Sequence, residues 1–195
     1  MKSKPAIISS WPELPPLPPA GQPVLIRVRT HAARSSARQE VRMVLRQVLA
    51  AWTGISAEHL PLNETALGPV WLGQIAGHTL GISLSYGENE AWIALLRDGL
   101  VGVDVMPVRK FAEAEAVSLL YLGPDACARI RLCSDPVHAF ALAWTELEAR
   151  VKCLKGELTE WSTAPAQSVS EWSCQHISSC DGVLVAVATR PVAAG

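Results

Sequence analysis

Trp144, Glu148 and Lys152 stand four residues apart in the segment Trp144-Thr145-Glu146-Leu147-Glu148-Ala149-Arg150-Val151-Lys152. Read as a helix, this spacing puts an aromatic ring, a carboxylate and an ammonium on one face. Upstream, Gly102-Val103-Asp104-Val105 reads as a buried strand with a second carboxylate near its end. Two hard oxygen donors and one cation are what a magnesium ion and a diphosphate require of a protein. A plainer reading of the helix stays open. Glu148 and Lys152 stand in the favourable Glu-to-Lys order, and a surface pair of that kind is worth about 0.3 kcal/mol. Asp104 is harder to dismiss, because an unpaired charge in an apolar strand is expensive. It either pairs with a cation or accepts from turn amides at the strand end.

Two further groups could handle an anion. Ile82-Ser83-Leu84-Ser85-Tyr86-Gly87 is a strand running into a polar turn, where the Ser85 and Tyr86 hydroxyls could donate to phosphate oxygens or form an ordinary turn. Arg34, Arg38 and Arg42 repeat every four residues, with Arg46 continuing the row. Like charges at that spacing disfavour a helix. The row either holds an anion or forms a solvated face that Glu40 helps to balance.

Several elements must position these groups. Residues 1–23 contain seven prolines and read as an extended leader with little regular structure. Val24 to Arg29 reads as a strand, and His31 to Thr53 as a helix with Val41, Val44, Leu45, Val48, Leu49 and Trp52 on its apolar face and Gly54 as its stop. Strands are expected at 70–72, 79–85 and 91–96, with Arg97-Asp98-Gly99 as a hairpin turn into a strand over 100–105. A helix over 111–122 and a long helix over 137–154 follow, the latter buried along Phe140, Ala143, Leu147, Val151 and Leu154, with Gly156 after it. Residues 171–177 and 183–189 close the chain as strands. Helix and strands given twice predict an α+β protein of two similar halves, 24–105 and 106–195, with a site in the cleft between them.

Composition narrows the function classes. Hydrophobic residues make up 49% of the 195 and charged residues 18%, with a net charge of −1. Such a chain buries a core and is not built to coat nucleic acid or an acidic membrane. No apolar run reaches the length of a membrane span, and no secretory signal is visible, so a cytoplasmic location is expected. The five cysteines are odd in number and none stands in a C-x-x-C pair, so neither a zinc site nor a disulfide framework is expected.

The segments Gly102-Val103-Asp104-Val105 and Trp144-Thr145-x-x-Glu148-Ala149-x-x-Lys152 together resemble the signature of the 4′-phosphopantetheinyl transferases, especially the monomeric surfactin-synthetase type. The likeness covers roughly residues 68 to 156. It implies a pseudo-dimer of two α+β halves with coenzyme A in the cleft, and magnesium-dependent transfer of the phosphopantetheine arm to a serine of an acyl, polyketide or peptidyl carrier protein, releasing 3′,5′-ADP. It implies Asp104 and Glu148 as magnesium ligands, Glu148 also as base for the serine directly or through water, and Lys152 against the diphosphate. Ser85 and Tyr86 would touch phosphate, Arg34 and Arg38 the 3′-phosphate, and the carrier would dock near the 111–122 helix. The chain departs from the family pattern at Tyr86 (usually histidine), Leu147 (usually lysine), Met106 (often a third acid) and Leu67-Gly68-Pro69, which lacks a basic residue. These departures fit an alternative, a degenerate relative that binds coenzyme A or a carrier without transfer.

Overall fold

The computed structural model describes residues 4–30, 34–60, 62–63, 71–75, 78–162, 172–178 and 181–191. The Leu67-Gly68-Pro69 turn, His31 and Val70 lie outside them, as do Glu171 and Cys180. The architecture is mixed α+β, with two sheets and four α-helices among the described residues. The first sheet holds six strands: β1 (Ile7–Ser10), β2 (Val24–Arg29), β3 (Leu62–Asn63), β4 (Trp71–Ile75), β5 (His78–Tyr86) and β6 (Glu90–Arg97), in the order β1-β2-β6-β5-β4-β3. The second holds three, β7 (Gly99–Pro107), β8 (Ser173–Ser178) and β9 (Val183–Pro191), in the order β7-β9-β8.

Strand alternation sorts the apolar side chains into layers. One face of the first sheet (Val24, Ile26, Val28, Ile82, Ile93, Leu95) buries Val41, Val44, Leu45, Val48 and Leu49 of α1 (Arg34–Thr53), the face expected from its spacing. The opposite face presents Leu25, Trp92, Ala94 and Leu96 to Val101, Val103, Val105, Val185 and Val187 of the second sheet. Beyond that sheet lies α4 (Pro136–Leu154), against Ala186 and Ala188. Helix, sheet, sheet and helix therefore stack as four layers. Trp92 fills the middle, its indole nitrogen donating to Glu90 Oε1 at 2.8 Å.

Three expectations are corrected. The 97–99 turn does not make a hairpin, because β6 and β7 belong to different sheets. Asp98 takes a left-handed conformation there, its N–H donating to Thr79 O at 2.7 Å and its carboxylate accepting from Thr79 N at 3.2 Å, which turns the chain into the second layer. The leader, expected to be extended with little regular structure, carries one short strand, β1, parallel to β2 in the register Ile7↔Val24 to Ser10↔Arg27. Gln175 of β8 accepts from Ala6 N–H at 3.0 Å and donates to Lys4 O at 2.7 Å, and Trp52 Nε1 donates to Pro15 O at 2.8 Å.

The helix expected over 111–122 is a short α2 (Ala114–Val117) widening into a π-turn over Ser118–Leu122. Gly123, at φ 87°, breaks it, and an unforeseen α3 (Pro124–Leu132) follows with proline in its first turn. Finally, the fully buried row of α4 is Phe140, Ala141, Thr145, Ala149 and Cys153, while Ala143, Leu147, Val151 and Leu154 are only half-buried. The cause is backbone-to-backbone contact. A Cβ on Gly102 of β7 would lie 1.9 Å from Ala149 O and 2.4 Å from Cys153 N. The helix rests on the strand itself, and only small side chains fit the seam.

Candidate active site: a carboxylate, lysine and serine cluster beside a cleft

The rotated seam determines what α4 presents. Trp144, Glu148 and Lys152 each precede a seam residue by one position, so they line the edge of the α4–β7 contact. Asp104 lies on the α4 side of β7, alternating with the inward Val103 and Val105, and is 8% exposed. Lys152 Nζ reaches it directly, donating to Asp104 Oδ1 at 2.6 Å and to Ser85 Oγ at 3.3 Å. Ser85 in turn donates to the same Oδ1 at 2.9 Å. The surface-pair reading of Glu148 with Lys152 therefore gives way to a cross-layer pair of Lys152 with Asp104.

Ser85 owes its place to β5 lying close across β7. Gly81, Ser83 and Ser85 alternate on the β7 side, and a Cβ on Gly81 would meet Gly99 O at 2.3 Å. Ser83 Oγ accepts the Val103 N–H at 3.1 Å, satisfying a strand donor that would otherwise be buried. Ser85, 4% exposed, commits its hydroxyl to Asp104 instead of to the cleft.

The donor set suits a hard divalent cation. Both hydrogen bonds to Asp104 end on Oδ1, so among the described residues Oδ2 accepts none. Glu148 is half-buried and its carboxylate accepts no hydrogen bond among the described residues. Burial raises the proton affinity of Glu148 above the ordinary value, the Asp104 carboxylate adds to that, and the Lys152 ammonium opposes it. Two neighbouring carboxylates with oxygens to spare can share a magnesium ion, and its charge would relieve the strain between them.

Tyr86 points to the other face of the first sheet. Its ring lies 6.0 Å from the Arg38 guanidinium carbon. Burial pushes its phenol up, against the pull of Arg42 and Arg38. Arg34 begins α1, and its side chain lies outside the described residues. Thus Asp104, Glu148, Lys152 and Ser85 form one group, and Tyr86 with Arg38 a second. A cleft of about 480 Å³ adjoins the second group, lined by Ala37, Tyr86, Met106, Arg109 and Phe111 among others. Val105 and Met106, which also line it, directly follow Asp104 on β7, so the strand end joins the two groups.

The spacing of the sequence did not single out the aromatic row that holds Trp144. Phe111 stacks on Phe140 at 6.0 Å, Phe140 on Trp144 at 6.2 Å, and Tyr121 meets Trp144 edge-on at 5.7 Å. Only the pairing of Phe140 and Trp144 at i, i+4 was readable along the chain. No known family model matches the chain, and no curated protein matches it in sequence.

Proposed function

We propose that the chain is a magnesium-dependent 4′-phosphopantetheinyl transferase, moving the phosphopantetheine arm of coenzyme A to a carrier-protein serine and releasing 3′,5′-ADP. The observation that carries this reading is the convergence of Asp104, Glu148 and Lys152 at the α4–β7 seam, with a cleft at the end of the same strand. The four-layer stack supports reading the fold as two α+β halves, α1 on the first sheet and α4 on the second. The apolar Phe111, Leu119 and Leu120, all exposed beside the aromatic row, suit the docking of a carrier.

In this reading Asp104 and Glu148 would hold a magnesium ion, which would supply neutralisation of the diphosphate charge as the leaving group departs. Lys152 turns an ammonium proton toward a diphosphate oxygen while keeping Asp104 oriented. Glu148, its proton affinity raised by burial, takes the proton of the carrier serine directly or through water, help that is worth ~10²–10⁴ in rate. The serine oxygen bonds to the phosphorus bearing the pantetheine arm. The bond from that phosphorus to the bridging oxygen breaks, and the electron pair leaves on 3′,5′-ADP. Arg38 and Tyr86 receive the nucleotide end on the other side of β5.

The commitment of the Ser85 hydroxyl to Asp104 also favours a second reading, a relative that binds coenzyme A or a carrier without transfer. Intact-mass analysis of apo carrier with coenzyme A and magnesium separates the two. Mass gain that disappears in Glu148→Gln supports transfer. Tight coenzyme A binding with no mass gain on any carrier supports the second reading.

A further inference from the structure

The opposite flank of α4 lies along β8. Arg150 places its guanidinium over the Trp172 ring at 5.0 Å, and one turn earlier Glu146 faces Cys174 and His176. Cys174 and His176 stand two residues apart on β8, so they share a face, while Gln175 between them turns to the leader. One ligand atom from each of Glu146, Cys174 and His176 lies within 4.8 Å of the other two. His176 Nε2 is already 3.9 Å from Glu146 Oε2. Among the described residues this is the one group of three such side chains. None of the three takes part in the function proposed above.

The chemistry of the set discriminates among cations. Magnesium and calcium take oxygen ligands and reject a thiol. Thiolate, imidazole and carboxylate together suit zinc, which accepts three protein ligands and leaves a fourth position for water. Zinc bond lengths put tetrahedral ligands roughly 3.5 Å apart. With every ligand atom within 4.8 Å of the others, closing the group to that spacing asks for side-chain movements of about 1 Å. Arg150 stacks on Trp172 instead of pairing with Glu146, which leaves that carboxylate facing Cys174 and His176. A divalent cation ionises a thiol that binds it.

We infer that Glu146, Cys174 and His176 form a zinc site that clamps α4 to β8. The clamp fixes the helix from the flank opposite Glu148 and Lys152, and it stands independently of the transfer reaction.

Metal binding to the chelator-stripped 195-residue chain tests this. One equivalent of zinc is expected to bind, and cobalt in its place to give a thiolate-to-metal charge-transfer band with the visible absorption of a tetrahedral ion. Cys174→Ser should abolish the charge-transfer band. His176→Gln, at an exposed position that leaves folding intact, should weaken zinc binding by at least about 100-fold, beyond the effect of an outer-shell change. Asp104→Asn should change neither. Absence of stoichiometric zinc, a thiolate band that survives Cys174→Ser, or binding lost in Asp104→Asn would each overturn the assignment.

Discussion

A carboxyl half-buried beside another carboxylate holds its proton more firmly than one in water. For Glu148 the folded protein raises the pKa above 4.5, so its favourable contribution to stability is present below that pH and lost as pH rises through the folded value. Glu148→Gln should therefore match the wild type in chemical denaturation near pH 4 and exceed it at pH 8, while losing the transfer activity proposed for the chain. A glutamine variant that is less stable at pH 8 would mean that the carboxylate is held by a partner. Lys152→Met removes the ammonium that Asp104 accepts from and should destabilise the fold by about 1–3 kcal/mol at pH 7, read from the denaturation midpoint. At this scale the sequence was informative about residues and less so about directions. The i, i+4 spacing was enough to put Glu148 and Lys152 on one edge. The partner of Lys152 was not legible, because Asp104 and Ser85 reach it from strands in two different sheets.

Among the elements, α4 and β7 depend on a seam without side chains between them. Gly102→Val places atoms where Ala149 O and Cys153 N already lie, so the helix must lift, and a loss of about 3 kcal/mol or more is expected in thermal unfolding. Leu147→Lys, which installs the residue usual in the transferases that the sequence resembles, falls on the half-buried flank and should change stability by less than about 1 kcal/mol. Periodicity ranks a helix face by apolar bulk, and by that measure Leu147 and Val151 outrank Thr145 and Ala149. Close contact between backbones selects the opposite, since small residues permit it. The break at Gly123 was hidden for a related reason. Apolar spacing runs on through Ser118–Leu122, while the π-turn and the positive φ that end it leave only a single glycine in the sequence.

At the scale of the whole molecule the candidate site groups lie on boundaries between layers, so the ligands proposed for them would brace the stack. Coenzyme A with magnesium at 100 times the dissociation constant should stabilise the wild type by about 2.7 kcal/mol, seen as a raised Tm, and Asp104→Asn should lose most of the magnesium-dependent part. The layer order itself was partly legible. Helix and strands given twice pointed to two α+β units, but which sheet each strand joins depends on the Asp98 turn, whose pattern also fits a hairpin. The leader adds one more tie. The single side chain of Gln175 accepts from Ala6 and donates to Lys4, as a neighbouring strand would, 169 and 171 residues away along the chain. Order of synthesis and order of assembly are thereby set against each other. The segment before β1 gains this latch only after β8, much later along the chain, has been made. Until then β1 has its pairing with β2 alone, so residues 4–10 are secured long after they are made.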